Sequence, residues 1–435
     1  MKNATDSTLT LTLSHPMGEG TAMKVLRLAN EPLTNPDARH FQKPANDSPS
    51  PIGWERAGVR AMLFTSLLIA AFAFPLSVSA KDAAKKTTKP KIEVCFVLDT
   101  TGSMGGLIEG AKQKIWSIAN DIALAKPAPD IRFGLVAYRD RGDEYVVKTF
   151  DLTNDLDAVY SQLQSFRAAG GGDTPESVNE ALDEAVRKVS WSTDRSVLKM
   201  IFLVGDAPPH MDYANAPKYP EVCQAAMKKD LIINAIQCGS ISETTPIWQE
   251  IAKLSEGSYA AIPQTGNMTA IATPMDAKLA ALNREVGTTL IAYGSASSRS
   301  AVFAKQAASE AAPAAASADR LAYNAKSGVA VQGEGELLDS LAAGKVKLET
   351  LKKDQLPSDL QKLDDIQLKA EIAKKQAARS AMQAEIQKLS KERDDYIAQE
   401  KKRLATGGKV DSFDQKLADM IHAEAAKKGI QYAAE

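Results

Sequence analysis

The 435-residue sequence predicts an α/β fold: a doubly wound, mainly parallel sheet with helices on both faces, followed by a C-terminal α-helical region. Three observations predict it. Between about residues 90 and 290, short apolar runs alternate with amphipathic stretches of helical spacing, and that alternation implies right-handed crossovers between parallel strands. Several of the apolar runs lack polar alternation, which suits strands buried on both faces. Beyond residue 290 the composition turns to Ala, Ser, Lys, Glu and Gln with sparse apolar positions, so the last third reads as helix and linker.

The first strand is Ile92–Leu98, broken only by Glu93. A helix over 104–123 follows, with Leu107, Ile108, Ala111, Ile115, Ile118 and Ile122 at helical spacing. Ile131–Tyr138 and Tyr145–Phe150 read as strands joined by the charged turn 139–144. Leu156–Phe166 is helical and Gly170–Thr174 is a glycine loop. Pro175 opens a helix that runs to about Val189, because proline's fixed φ suits a first helical position. Val197–Val204 is the most apolar strand. Helices at Tyr219–Lys229, 245–255 and 269–286 then alternate with strands at Leu231–Cys238 and Ser258–Ile262. In such sheets ligands gather at the loops beyond the carboxyl ends of the strands.

Ahead of this region lie two segments of a different kind. Residues 1–55 are rich in Thr, Asn, Pro and Ser without a sustained period, and read as a disordered or non-native leader. Residues 56–80 read as a signal peptide: Arg56 and Arg60 precede an uncharged run over 61–78, and Val78, Ser79 and Ala80 supply small residues before a cleavage site at Lys81. An uncleaved membrane anchor is the alternative, since the run is just long enough to span a bilayer. The expected location is the periplasm or the cell exterior.

Composition closes several other routes. A formal net charge of −1 offers no basic surplus for nucleic acid. Of four histidines, His15, His40 and His422 lie far from the central region and only His210 falls within it, which argues against a histidine-based zinc site. Cys95, Cys223 and Cys238 form no CxxC pair, so neither a redox motif nor a zinc knuckle is present. Cys95 and Cys238 fall on strands, where cysteine packs as a small hydrophobe or, in an oxidising compartment, forms a bridge.

The chemistry-bearing residues stand where such a sheet would place a ligand. Directly after the first strand, Asp99, Thr101 and Ser103 put a carboxylate and two hydroxyls on one side of a tight turn. The glycine loop presents Thr174, and Asp206 follows the strand that ends at Val204. All five are hard oxygen donors, suited to Mg²⁺, Mn²⁺ or Ca²⁺ rather than to zinc or copper. Asp173 and Glu176 fit outer-shell positions and fit helix N-terminal charge effects equally well. His210, between Pro209 and Met211, reads as loop structure, and Asp140 and Asp143 as shapers of a turn. Arg141, Gly142 and Asp143 spell a known adhesion tripeptide, a match short enough to arise by chance.

The segments 99–103, 170–174 and 205–206 resemble the metal-ion-dependent adhesion site of von Willebrand factor type A (VWA) domains, of the bacterial exported type. That pattern is DxSxS, then a loop threonine, then an aspartate; Thr101 departs from it by one methyl group and keeps the hydroxyl. The resemblance implies a Rossmann-like VWA domain over 90–290. It implies that Thr101, Ser103 and Thr174 touch the metal directly or nearly so, with Asp99 and Asp206 acting directly or through water. It also implies a cofactor, Mg²⁺ with Mn²⁺ or Ca²⁺ as alternatives, and a protein partner that offers an Asp or Glu carboxylate.

A hydroxyl-rich shell leaves much of the ion's charge uncompensated, so the ion seeks an outside carboxylate. Hydrolysis would instead need a base within reach of metal-bound water. Asp173 and His210 are the nearby candidates, and neither has an orienting partner in the sequence. No GxSxG elbow and no GxxxxGK[ST] phosphate loop occurs. The expectation is a non-enzymatic binding module. Two rival classes are a metal-dependent hydrolase on the same sheet and a structural envelope protein acting through its C-terminal helices.

For the remainder, residues 295–330 read as an Ala/Ser-rich linker, with a loose helix as the alternative over 295–319, and 331–435 as a helical extension. Its parts are a short helix at Glu336–Leu348, a long polar helix from Ser358 to Leu404, a stop at Gly407 and Gly408, and a last helix at Ser412–Lys428. Two readings stand: a coiled coil that pairs chains or docks a partner, and a charged helix folded against the domain.

Overall fold

The computed structural model describes residues 89–268, 270–406 and 412–432; the leader, the signal run at 61–78 and the stop at Gly407 and Gly408 lie outside them. No helix among the described residues is long and apolar enough to cross a membrane. Six strands form one sheet: β1 (Lys91–Asp99), β2 (Asp130–Tyr138), β3 (Val147–Thr153), β4 (Leu198–Gly205), β5 (Ile232–Cys238) and β6 (Tyr259–Ile262). Their order is β3-β2-β1-β4-β5-β6, parallel throughout except for β3, which pairs antiparallel with β2 at one edge. The chain thus winds outward from β1 in one direction and from β4 in the other, and the switch point lies between them.

Central strands need helices on both faces, and the sequence supplies them. All eight residues of β4 are buried. On one face, Val94, Phe96 and Leu98 pack with α1 (Gly105–Ala123) and α2 (Leu156–Ser165). On the other, Cys95, Val97, Ile201 and Leu203 pack with α3 (Val178–Arg187), α4 (Tyr219–Lys228) and α5 (Thr244–Leu254). Cys95 and Cys238 therefore face opposite layers, and all three cysteines are buried free thiols.

Two helices start later than their sequence signals. The expected start at Pro175 gives way to Val178, because Glu176 is held in a backbone bridge: its N–H donates to Pro208 O (2.9 Å) and its carbonyl accepts from His210 N (3.1 Å). After β6, α6 (Asp276–Thr288) begins where Asp276 accepts from the N–H and the hydroxyl of Thr273, both at 2.8 Å.

The largest departure is at 295–330. Where composition suggests a linker, the chain forms α7 (Ala296–Ala311) and α8 (Ala314–Ser327). Small side chains let α8 lie close against α1 and α6, which a flexible reading of Ala and Ser overlooks. Tyr323 stacks at a tilt on Trp116, 5.7 Å between centroids, and Asn120 of α1 donates to Asp319 O (2.8 Å). After α9 (Leu337–Ala342), the long helix α10 (Asp365–Thr406) starts at Asp365 rather than Ser358, preceded by a 3-10 turn at Leu360–Lys362. Its Leu368, Ile372 and Ile386 are buried in clusters with this chain's own helices. Finally α11 (Ser412–Lys427) inserts Phe413, Leu417, Met420 and Ile421 into the cluster beneath α1.

Candidate cation site at the switch point

β1 ends at Asp99 and β4 at Gly205, so side chains from adjacent parallel strands meet at their carboxyl ends. Asp99 is fully buried. Its Oδ1 accepts from Thr101 N (2.8 Å) and from Thr101 Oγ1 (2.6 Å), which folds the turn back on itself. Thr101 Oγ1 in turn lies 3.2 Å from Ser103 Oγ. The other oxygen, Asp99 Oδ2, is buried and has no hydrogen-bond partner among the described residues. Gly205 explains how the strands come so close: a Cβ there would lie 2.9 Å from Asp99 Cβ and would overlap the Tyr138 hydroxyl. Asp206 stands next to it, and Gln264 Nε2 donates to its Oδ2 at 2.6 Å.

The glycine loop is tied to this turn by backbone. Gly102 N donates to Gly170 O, and Ala169 N to Thr100 O, each at 3.1 Å. Gly171 has φ +69°, and a Cβ on it would lie 2.8 Å from Glu176 Oε1 and 2.9 Å from Thr101 Cβ. Of the five residues singled out by sequence, the structure brings Asp99, Thr101, Ser103 and Asp206 together. Thr174 is exposed on the tethered loop, and no hydrogen bond joins it to the other four. Asp173 is exposed beside it. Among the described residues, no three His, Cys, Asp or Glu side chains could hold an ion by themselves; a cation here would need the hydroxyls and water as well.

Sequence reasoning undervalued Glu176 and missed Gln264 and Tyr138. Glu176 is buried, and its Oε2 has no hydrogen-bond partner. A glutamate just after a proline looks like a helix-start residue, so the sequence left an outer-shell role and a helix N-terminal charge effect equally open. Burial pushes its carboxyl up to about 9, reinforced by the charges of Asp99, Asp140, Asp143 and Asp206. Burial likewise lifts Asp99 to about 7, with Asp206 adding to the rise and the Thr101 hydrogen bonds opposing it. The Tyr138 phenol, buried and unpartnered between them, is pushed well above its ordinary value by burial and then by the same carboxylates.

No Lys or Arg among the described residues pairs with Asp99, Asp206 or Glu176. Arg139, buried nearby, spends its donors on Thr100 O (3.2 Å), Arg167 O (2.7 Å) and Glu144 (3.4 Å). The adhesion tripeptide is used internally: Asp143 Oδ2 accepts from Asp140 N (3.1 Å) and Gly171 N (3.0 Å), while Arg141 pairs with Glu180 at 2.7 Å. Its guanidinium also covers the Tyr213 ring at 3.9 Å. His210 is loop structure, its Nδ1 2.8 Å from Asp212 and its ring stacked 3.9 Å from that of Tyr213.

Fold and site together define an α/β domain with hydroxyls and carboxylates lacking a Lys or Arg partner gathered where the winding order of its strands reverses. Residues 93–273 match the family model for the von Willebrand factor A domain, and the chain carries such a domain over that span. A human relative, von Willebrand factor A domain-containing protein 7, is 34% identical over 120 residues, 28% of this chain and 12% of that protein. Alpha-protein kinase vwkA of Dictyostelium discoideum is 26% identical over 148 residues, 33% of this chain and 23% of that protein. The matched part is thus a small fraction of each relative's length. Among solved structures, the conserved hypothetical protein BatB from Bacteroides thetaiotaomicron aligns with a TM-score of 0.31 and 19% identity, over 40% of this chain and 90% of that one. Proximal thread matrix protein 1 from the mussel byssus, in a structure described as having a zinc occupied MIDAS motif, aligns with a TM-score of 0.32 and 16% identity, over 40% and 42%.

Proposed function

We propose that this chain is an exported, metal-dependent protein-binding module. In this reading Asp99, Thr101, Ser103, Thr174 and Asp206 hold a hard divalent cation, Mg²⁺ with Mn²⁺ or Ca²⁺ as alternatives, and the ion captures an Asp or Glu side chain of a partner protein. The carrying observation is the buried, unpartnered Asp99 Oδ2 beside Asp206 and Glu176, with no Lys or Arg paired to any of them among the described residues. Buried charges are ordinarily paired or coordinate metals; the Thr101 hydroxyl lies against this carboxylate and the Ser103 hydroxyl lies 3.2 Å from that of Thr101. Hard oxygen donors of this kind suit Mg²⁺, Mn²⁺ and Ca²⁺. Thr174 takes its place in the set from the loop's tether to Gly102 rather than from a bond of its own.

When bound, the ion supplies an open coordination position of positive charge. The chain's own residues do the rest: Thr101 orients Asp99, and Gly205 lets the two strand ends meet. A binding role fits the surroundings better than hydrolysis, because both ring nitrogens of His210 face other carboxylates, Nδ1 at 2.8 Å from Asp212 and Nε2 at 3.4 Å from Asp140, rather than Asp99 or Asp206. The run at 61–78, followed by small residues before Lys81, supports export. Affinity capture from the source envelope with and without EDTA, followed by mass spectrometry, tests the reading. A partner retained by the intact chain and lost with EDTA or with Asp99→Ala is the expected result. Turnover of ester or phosphoester substrates that vanishes in Asp99→Ala would favour a hydrolase instead.

A further inference from the structure

Gln264 reaches the site from the turn that follows β6, on the far side of the switch point from β1. Its Nε2 donates to Asp206 Oδ2 at 2.6 Å and lies 3.3 Å from the backbone oxygen of Ser103. Both targets are acceptors only, so the amide must present its NH₂ to them, and one side chain braces two of the loops that carry the candidate ligands. The carbonyl end of the same amide lies against Gly239, whose φ of +77° and missing Cβ leave room for it; any side chain there would overlap Oε1. The turn itself is seated on α1, since Thr265 lies against Gly106 and Gly266 against Leu107. Gln264 is half-buried, the position of a residue that meets the site from its rim.

We propose that Gln264 is a positioning residue of the cation site: its amide holds the Asp206 carboxylate, and the Ser103 turn beside it, in the arrangement that receives the ion. Without the amide, Asp206 loses its one polar side-chain partner, since the described residues offer it no Lys or Arg. A carboxylate so freed turns away from its unpaired neighbours Asp99 and Glu176, and the ion must then reorient it on binding. Partners that orient metal ligands in this way are ordinarily worth about 10–100-fold in affinity. The inference rests on the cation reading above and adds to it a residue that the adhesion-site pattern does not contain.

The test is Mn²⁺ binding to the full chain by titration calorimetry, with the electron paramagnetic resonance spectrum recorded at saturating Mn²⁺, for wild type, Gln264→Leu and Asp99→Ala. Melting in EDTA and circular dichroism report folding; should Gln264→Leu fail to fold, Gln264→Ala carries the same expectation. The expected result is Mn²⁺ affinity about tenfold or more weaker in Gln264→Leu, an altered resonance spectrum, unchanged melting in EDTA, and no binding in Asp99→Ala. A purely structural glutamine would lower melting in EDTA and leave the spectrum of the bound ion unchanged, which overturns the proposal. Wild-type affinity and spectrum in Gln264→Leu, with binding still lost in Asp99→Ala, overturn it while leaving the cation reading intact. Equal Mn²⁺ binding by wild type and Asp99→Ala overturns both.

Discussion

In the helical layer, Asp157 meets Arg320 edge-on, with Nε at 2.6 Å from one carboxylate oxygen and Nη2 at 2.9 Å from the other. Arg393 joins Asp276 and Asp319, Arg379 joins Glu336 and Asp339, and Lys114 joins Asp414 across α1 and α11. At the strand ends, Asp99, Asp206 and Glu176 are buried to a similar degree and have no such partner among the described residues. The same chain that places an arginine or lysine beside one set of buried carboxylates leaves the other set bare. Burying an unmatched charge is costly, so these carboxylates either keep their protons, as the raised values of Asp99 and Glu176 allow, or, in the proposed reading, take positive charge from a bound ion. In the proposed reading, the difference separates carboxylates that hold the protein together from carboxylates that would receive an ion.

Substitutions on the two sides should therefore behave in opposite ways. Arg320→Ala strands Asp157 in the interior and is expected to cost about 3–5 kcal/mol of stability, as removal of one partner from a buried pair does; urea denaturation reads it. Gly205→Ala forces a methyl group against Asp99 and Tyr138 and is expected to cost about 1–3 kcal/mol by overpacking, with weakened Mn²⁺ binding in calorimetry as a second sign. A cost of the Arg320 size at Asp99→Asn would break the comparison. The expected value there, without added metal, lies within about 1 kcal/mol of wild type or on the stabilising side, because an amide still accepts from Thr101 and removes a buried charge.

The pH dependence sharpens the same contrast. Asp99, at about 7, and Glu176, at about 9, lie above their ordinary values of 3.8 and 4.5. The folded protein therefore holds more protons than the unfolded chain between these limits, so stability falls as pH rises. In EDTA the melting temperature should decline from about pH 4 to about pH 9. Saturating Mn²⁺ should flatten that decline, since the ion favours the ionised carboxylates. A melting temperature in EDTA that climbs across the same range would contradict the assignment of these two groups.

How much of this was legible beforehand follows from the residues. The apolar runs of β1 and β4 are broken only by Glu93 and Lys199, and a carboxylate closes the first and directly follows the second, which already marks the switch point. Thr101 and Ser103 followed from their alternation with Asp99. Glu176 and Gln264 did not, because their roles depend on a backbone bridge to Pro208 and on a turn that crosses back over α1, neither of which leaves a periodic trace. α7 and α8 were hidden for another reason: Ala and Ser look like linker until a neighbouring helix makes close packing their purpose. The polar α10 gave a helix but not its seat, since Leu368, Ile372 and Ile386 are too widely spaced to announce which helices they meet.

The most direct test is thermal melting of the full chain and of Asp99→Asn across a series of Mn²⁺ concentrations at constant ionic strength. Wild type should melt at steadily higher temperature as the logarithm of Mn²⁺ concentration rises, as linkage requires of an ion that binds only the folded state, and Asp99→Asn should not respond. Equal responses in the two proteins, or none in either, would show that the bare carboxylates do not await a cation.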